Sequence, residues 1–223
     1  MKAKMIDYSD FRLSRINEPR FRHVKLLGGW IVYFILYFLT ENLIPPERCH
    51  PIHCIVDDWI PFNEFFLIFY VFWYLLIVMS LLYYFLYDAR KFSCLQTYIF
   101  ITQMVAMAIY ILWPSRQDLR PAVFPRENFL TAVMAFIYRF DTNTGVCPSL
   151  HVAYSLGILS VCCKDKALPL WSKVLLAVVV FFICIAVCFV KQHSFVDVLA
   201  ALPLCALAEY LTFHVFFPEK KAA

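Results

Sequence analysis

Runs of about twenty consecutive apolar residues constrain the fold of this chain more than any other feature. A helix rises 1.5 Å per residue and the hydrocarbon core of a bilayer is ~30 Å thick, so one such run can cross a membrane as a single helix. The fourth run, which starts at Ser149, is shorter than the rest. The runs lie at residues 24–44, 63–87, 94–113, 149–163, 170–190 and 195–217. The sequence predicts an all-α polytopic membrane protein, a bundle of six transmembrane helices.

Composition supports one membrane-embedded domain. Hydrophobic residues make up 62% of the 223-residue chain, against roughly 45–50% in soluble domains, so lipid has to cover part of the surface. We expect a cytoplasmic N-terminal segment at residues 1–23, the bundle at 24–217 and a cytoplasmic tail at 218–223. The net charge is only +4, which does not favour nucleic acid as a partner. Residues 128–140 are apolar but too few to cross a bilayer, so they predict an interfacial or re-entrant helix in an outer loop.

Lysine and arginine near the span ends set the orientation, because these residues are enriched in cytoplasmic loops. The N-terminal segment is strongly basic, and counting six spans from it places the other basic clusters on the same side. These clusters contain Arg90, Lys91, Lys164, Lys166, Lys173, Lys220 and Lys221. The predicted outer segments are residues 45–62, 114–148 and 191–194. We expect a multi-pass protein of the cell membrane.

The middle outer segment departs from this charge rule. It holds Arg116, Arg120, Arg126 and Arg139, and arginines on the disfavoured side need an anionic ligand or lipid headgroups. Headgroup contacts suffice to explain Arg126 and Arg139. Arg120 lies in a richer context, because it is followed by Pro121 and belongs to one of three polar motifs.

Each of these three motifs lies at an end of a predicted span, and all three ends face the same side. The first is Arg120-Pro121, the second is Cys-Pro-Ser-Leu-His ending at His151, and the third is Lys-Gln-His-Ser-Phe-Val-Asp at residues 191–197. Packed helices would gather them in one pocket, and ionisable residues at such depth point to function. The sequence therefore predicts a candidate active site at the outer face.

The second and third motifs each contain one histidine, and their surroundings suggest a role for each. His193 and Asp197 are four residues apart, so on a helix the carboxylate can accept a proton from one ring nitrogen and direct the other as a nucleophile or base. His151, with the hydroxyl of Ser149 beside it, suits acid catalysis at a leaving group.

Arg120 and Lys191 supply positive charge for a phosphate, the first as a planar fork and the second as a point charge. Two other readings of the residues stay open at this stage. The His-x-x-x-Asp pair can be structural, and two histidines with an aspartate can also bind zinc.

Together the motifs resemble the type 2 phosphatidic acid phosphatase superfamily. Its signatures are Lys-x6-Arg-Pro, Pro-Ser-Gly-His and Ser-Arg-x5-His-x3-Asp, in that order within a six-helix fold. The matching residues here are Arg120-Pro121, Pro148 to His151, and His193 with Asp197. The resemblance covers the second half of the chain, and the ordered set is more specific than any single motif.

The departures from these signatures affect the phosphate site. Trp113 stands where the first signature has lysine, and Leu150 replaces the glycine, as in the bacterial inositol phosphorylceramide synthase-like branch. The Ser-Arg pair falls on Ala186 and Val187, so its arginine is missing. Lys191 is positioned in the sequence to substitute for it. The pocket is expected to be less basic than in typical members.

The resemblance implies a metal-independent phosphoric monoester hydrolase that uses no cofactor. His193 would form a phosphohistidine, Asp197 would orient it, His151 would protonate the leaving group, and the substrate would be a lipid phosphate. One alternative is a phospho-headgroup transferase of the inositol phosphorylceramide or sphingomyelin synthase type. Another is a membrane protein that binds or carries a phospholipid without catalysis.

The first outer loop contains two further features. Cys49 and Cys54 are the first and last residues of a Cys-His-Pro-Ile-His-Cys sequence. This sequence predicts either a disulfide or a small metal site. Asp57 and Asp58 lie just before the second span, and Glu64 lies at its start. Their sequence gives them no role beyond capping that span, whose N-terminus favours negative charge.

Overall fold

The computed structural model describes residues 5–218 and is about 70% helical. Its α-helices are α1 (Gly28–Leu43), α2 (Ile55–Trp59), α3 (Leu67–Tyr87), α4 (Ala89–Leu112), α5 (Phe129–Phe140), α6 (Leu150–Lys164), α7 (Leu170–Phe189) and α8 (Phe195–Tyr210). Short 3-10 helices lie at Leu13–Arg15, Arg22–Leu27, Pro46–Arg48 and Glu64–Phe66, and α8 continues as a π-helix over Leu211–Phe216. The all-α class is confirmed.

Five helical segments are long and apolar enough to cross a membrane. They are Arg22–Leu43, Glu64–Tyr87, Ala89–Leu112, Leu170–Phe189 and Phe195–Phe216. Their bounds agree within a few residues with five of the six predicted spans. Four of them expose many large apolar side chains, as expected for helices that face lipid, whereas those of Ala89–Leu112 are mostly buried or half-buried.

The short helix α6 occupies the centre of the bundle. It begins just after Ser149, where the sequence predicts the fourth span, but its 15 residues give a length of only about 22 Å. It packs against α4, α7 and α8, and most of its side chains are buried. At its start the Tyr110 hydroxyl of α4 donates to the Pro148 carbonyl (2.6 Å), and past its end Lys91 of α4 pairs with Asp165 (2.7 Å). α6 therefore runs alongside nearly the whole of α4.

One end of the bundle, here called the site end, is where α1, α4 and α7 finish and α3, α6 and α8 begin. Two outer segments of the chain join there. Strand β1 (His50–Pro51) pairs in parallel with β2 (Ser115–Arg116), and Arg116 also bridges to Thr144. At the opposite end, the N-terminal segment packs against the bundle, with the Ile6 N–H donating to the Leu86 carbonyl (2.7 Å).

Helix α5 forms over the predicted range and begins with a capping box. The Asn128 side chain accepts from the Thr131 N–H (3.0 Å), and the Thr131 hydroxyl accepts from the Asn128 N–H (2.9 Å). Just before it, Arg126 makes two hydrogen bonds of 2.8 Å to the buried carboxylate of Glu64. Arg126 is thus explained by an ion pair, which ties α5 to the start of α3.

Close contact between α4 and α6 depends on Gly157. A Cβ atom at this position would lie 2.5 Å from the Tyr98 ring, inside van der Waals contact. Tyr98 cannot easily move, because it is buried and its hydroxyl donates to the Cys205 carbonyl (3.3 Å). The missing side chain lets the central helix approach its neighbour.

We expect Gly157→Ala to lower the free energy of unfolding by about 1–3 kcal/mol, because one methyl group overpacks this contact. Gly28→Ala is the matched control, since a Cβ there meets nothing within 4 Å. Thermal unfolding in detergent measures both. A Gly157→Ala protein as stable as the Gly28→Ala protein would show that α4 and α6 do not pack this closely.

Candidate active site

Two of the three polar motifs meet at the site end. His151 lies in the first turn of α6 and His193 in the turn between α7 and α8, with ring centroids 5.6 Å apart and planes inclined by 68°. The two segments are also joined directly, because the Ser149 N–H donates to the Asp197 carbonyl (3.1 Å). The structure thus brings His151 and His193 close together.

The turn that carries His193 is closed by backbone hydrogen bonds. Lys191 adopts a left-handed conformation (φ 52°) after α7, and the N–H groups of Gln192 and His193 both donate to the Val187 carbonyl (2.9 and 3.1 Å). Such bonds satisfy carbonyls at a helix C-terminus. Ser194 then caps α8, so the chain reverses between two helices within five residues.

His193 is oriented by Asp197. Its Nδ1 lies 3.2 Å from Oδ2 of Asp197, and the Ser194 N–H donates to the same oxygen (2.9 Å). The carboxylate is completely buried, so this bond is shielded from water. With Nδ1 donating, Nε2 carries the lone pair, and it has no hydrogen-bond partner among residues 5–218.

His151 is held by aromatic rings on α3. Its ring centroid lies 3.9 Å from that of Trp73 and 4.6 Å from that of Tyr70. Its Nε2 is buried and has no partner in the part of the chain that the structure describes. Leaving a buried nitrogen without a hydrogen bond lowers the stability of a protein. Such a nitrogen is therefore expected where a ligand supplies the missing hydrogen bond.

Arg120 reaches the site only indirectly. Its guanidinium donates to the carbonyls of Asp141 and Thr142 (2.8 Å each) and to Oε1 of Gln192 (2.6 Å), and it lies 4.5 Å from the ring centroid of Tyr138. Burial lowers the pKa of Arg120, although the nearby Asp141 opposes this effect. The arginine therefore supports the wall of the site.

Gln192 and Asp141 form that wall and were not predicted. The Gln192 amide donates to Oδ2 of Asp141 (2.8 Å) and to the Tyr70 hydroxyl (3.2 Å), and Tyr70 donates to the same Asp141 oxygen (3.1 Å). Gln192 is adjacent to the predicted His193, which is a weak signal in the sequence. Asp141 and Tyr70 are distant in sequence and carried none.

Lys191 turns away from the histidines. Its ammonium donates to the carbonyl of Asp57 (3.0 Å) and to that of Ile60. Burial lowers the pKa of Lys191, and the nearby Asp57 charge partly offsets that. Neither Lys191 nor Arg120 lines the cavity beside the histidines.

Ser149 offers a different way to bind an anion. Its hydroxyl is completely buried and has no partner among the described residues. It is the N-cap of α6, where the first N–H groups of a helix lack partners within the helix and favour negative charge. The start of α6 thus holds donors suited to an anionic oxygen next to His151, although Ser149 itself is not among the residues that line the cavity.

A cavity of about 500 Å³ adjoins the two histidines. One end is polar and includes Asp141, Thr142, Thr144, Gln192, His151 and His193. The rest runs between α1 and α3 along Trp30, Tyr33, Phe34, Tyr37, Trp73, Tyr74, Ile77, Val78 and Leu81. Phe34 and Val78 are 58% and 59% exposed on the outside of the bundle, so the cavity reaches the apolar surface.

The remaining predicted features of the first outer loop take separate positions. Cys49 and Cys54 are free thiols. His50 stacks on Trp113 and His53 pairs with Asp58 (2.7 Å), so these side chains do not converge. Within residues 5–218, no group of three His, Cys, Asp or Glu side chains is arranged to hold a metal ion.

Comparisons with known proteins give no family for this chain. No family model, no curated protein and no solved structure matches it. The function of the site therefore has to follow from its own geometry.

We expect Ser149→Ala to weaken binding of inorganic phosphate roughly 10- to 100-fold, because a hydrogen bond to a charged group contributes ~1.5–3 kcal/mol. Stability without ligand should not fall, because the lost hydroxyl has no protein partner. The measurement is the rise in melting temperature with phosphate concentration.

Ser155→Ala is the matched control for this experiment. Ser155 is buried on the same helix, but its hydroxyl donates to the His151 carbonyl (2.7 Å). This variant should keep phosphate binding. Equal phosphate affinity in the Ser149→Ala and wild-type proteins would remove Ser149 from the anion site.

Proposed function

We propose that this protein is an integral membrane lipid phosphatase that hydrolyses a phosphate ester through a phosphohistidine on His193. One observation carries the proposal. Two buried histidines face each other across 5.6 Å, one oriented by a buried carboxylate, on the wall of a cavity that reaches the apolar surface of the bundle. A structural His-Asp pair would not need the second imidazole or the cavity.

The proposed chemistry assigns one nucleophile and one acid. Nε2 of His193 attacks phosphorus, the ester P–O bond breaks, and protonated His151 gives its proton to the leaving oxygen. Water then attacks the phosphohistidine, His151 takes the proton from that water, and inorganic phosphate leaves. Asp197 fixes the reacting tautomer of His193 and stabilises its positive charge during transfer.

Phosphate binding in this proposal rests on the start of α6. Ser149 and the first N–H groups of the helix lie next to His151 and can contact the equatorial oxygens. Arg120 supports the site by holding Gln192 and the Asp141–Thr142 backbone. Lys191 could replace the missing arginine of the resembled signature only by leaving the carbonyls of Asp57 and Ile60.

The cavity favours a substrate with an apolar tail. Its walls along α1 and α3 are aromatic and aliphatic, and exposed Phe34 and Val78 belong to them. A lipid could keep its chain in this groove while its phosphate contacts the polar end. A water-soluble phosphate would leave the groove unfilled.

A six-span arrangement with the site end outside the cytoplasm is also part of the proposal. α6 lies beside α4 from Tyr110 to Lys91. This position supports a short fourth span that its neighbouring helices shield from lipid. The opposite end holds Arg90, Lys164 and Lys173, as the enrichment of basic residues in cytoplasmic loops requires. The exposed apolar face of α5 suits the interface at the site end.

A phospho-headgroup transferase is the second candidate. The polar end of the cavity carries the carboxylate of Asp141 and the hydroxyls of Thr142 and Thr144, which can bind the hydroxyl groups of an acceptor. In that case His193 would carry the phospho-headgroup of a phosphodiester donor, and a lipid alcohol, not water, would attack its phosphorus and displace the histidine. A protein that only binds lipid phosphate would produce neither product.

We expect His193→Ala to abolish phosphate release from a lipid phosphate, because no covalent intermediate can form. His151→Ala should cost about 10²–10⁴-fold on the lipid phosphate and much less on an aryl phosphate whose leaving group needs no proton. Asp197→Asn should fall between the two. The measurement is the rate of each purified variant on both substrates, with free phosphate and new lipid products followed together.

His53→Ala is the matched control, since this histidine lies at the same end but is half exposed and paired with Asp58. It should keep the wild-type rates. Substantial activity in His193→Ala, with His151→Ala inactive on both substrates, would reverse the two roles. New lipid without free phosphate would favour the transferase.

Orientation is tested by labelling with an impermeant thiol reagent in a Cys163→Ser background. We expect a cysteine at exposed Asp118 to be labelled in intact cells and one at exposed Lys166 only after permeabilisation. The opposite pattern would place the site end in the cytoplasm.

A further inference from the structure

The short helix α2 packs against the turn that carries His193. Its residue Asp57 is only 3% exposed, although it lies 137 residues before Ser194. Burying a carboxylate is costly unless hydrogen bonds compensate for the lost water. The contacts of Asp57 therefore show what the burial achieves.

Three donors compensate the Asp57 carboxylate, and two of them belong to the turn and the first residue of α8. Oδ2 accepts from the Ser194 hydroxyl (2.6 Å) and from the Cys54 N–H (2.8 Å), while Oδ1 accepts from the Phe195 N–H (2.7 Å). The carboxylate thus caps α8 from another part of the chain, where helix N-termini favour negative charge.

Ser194 connects Asp57 to the reacting pair. Its hydroxyl binds Asp57, and its N–H donates to Oδ2 of Asp197 (2.9 Å), the same oxygen that lies 3.2 Å from Nδ1 of His193. A shift of Ser194 would move a donor to this oxygen and so disturb its bond to the imidazole. The chain of contacts runs from Asp57 through Ser194 and Asp197 to His193.

Lys191 fixes the other side of the same turn. Its ammonium donates to the backbone carbonyls of Asp57 and Ile60. The α2 segment therefore contacts both the start of the turn, at Lys191, and its end, at Ser194. The Asp57 carboxylate is also ionised at neutral pH. Burial by itself would raise the pKa of Asp57, but the hydrogen bonds from Ser194, Phe195 and Cys54 outweigh that effect and lower it.

We propose that Asp57 is a positioning residue that holds Ser194 and the start of α8, and thereby sets the geometry of the His193–Asp197 pair. This inference rests on the proposed role of His193 for its kinetic consequence. It gives the first outer loop a function at the site, although none of the Asp57 atoms needs to touch the substrate.

The neighbouring Asp58 provides a matched control. It has the same side chain on the same helix, but it is exposed and pairs only with His53 (2.7 Å). Asp57→Asn removes the negative charge and places an NH2 group against one of the N–H or O–H donors that now bind the carboxylate. Asp58→Asn removes a negative charge from the exposed surface only.

We expect Asp57→Asn to lower kcat on a lipid phosphate by roughly 10- to 100-fold with KM changed less than about twofold, because small displacements of a reacting group have effects of this size. Asp58→Asn should keep wild-type values. Ser194→Ala, which keeps the N–H but loses the hydroxyl, should lower kcat as well. The double variant should be no slower than Asp57→Asn, because both substitutions break the same hydrogen bond between Ser194 and Asp57.

A second measurement does not need activity. The NMR titration of His193 in protein labelled at histidine, assigned with His193→Gln, reports the bond to Asp197 directly. Asp57→Asn and Ser194→Ala should shift the midpoint and the Nδ1 resonance, and Asp58→Asn should not. If Asp57→Asn does not fold, Ser194→Ala alone carries both measurements.

The outcomes separate this inference from the proposed function. An active wild-type enzyme whose kcat and His193 titration are unchanged by Asp57→Asn and Ser194→Ala would overturn the positioning role and leave the phosphatase intact. A protein inactive on all lipid phosphates, with the His193 titration still shifted by these two variants only, would keep the positioning role and refute the phosphatase.

Discussion

The hydrogen bonds that close the turn between α7 and α8 determine the geometry of the site. The Val187 carbonyl accepts two N–H groups from this turn, and the Asp197 carbonyl accepts the Ser149 N–H of α6. The end of α7 and the starts of α6 and α8 are thereby joined around His193. Inside a membrane protein such bonds are especially important, because an unsatisfied backbone group has no water to bind.

The placement of charge around the site is unusual for a phosphate pocket. The side chains of the two nearby cations, Arg120 and Lys191, donate their hydrogen bonds to backbone carbonyl oxygens or to Gln192. Polar groups at the start of α6 that lack a partner among the described residues are neutral, namely the Ser149 hydroxyl and Nε2 of His151. In the proposed mechanism the anion is bound by oriented dipoles, with the buried cations holding the surrounding loops in place.

Much of the fold could be predicted because it depends on local patterns. Apolar runs located the long helices, and a shorter apolar run at residues 128–140 located α5. The sequence also singled out the three residues of the proposed chemistry, since His193 and Asp197 are four residues apart and His151 lies at the start of a helix. His193 itself lies in the turn before α8, not on the helix that the spacing suggested. The directions of Arg120 and Lys191 could not be predicted, because they depend on carbonyls contributed by distant loops.

The same limit explains why Asp57 had no assigned role. Its sequence position suggests capping of the next span, but its carboxylate caps α8, which only tertiary packing could bring near. Arg126 likewise fits lipid headgroups by sequence, yet pairs with Glu64. Both cases involve polar residues of the segments between the long helices, where no periodic pattern identifies the partner.

The central claim is that His193 becomes phosphorylated during turnover. The most direct measurement is to mix the purified protein with a ³²P-labelled lipid phosphate, denature it in alkaline detergent within milliseconds, and map the label by mass spectrometry. We predict an acid-labile, base-stable phosphate on His193 in the wild-type protein and in His151→Ala with an activated aryl phosphate. Turnover with no label on His193, or with label on another residue, would contradict the account.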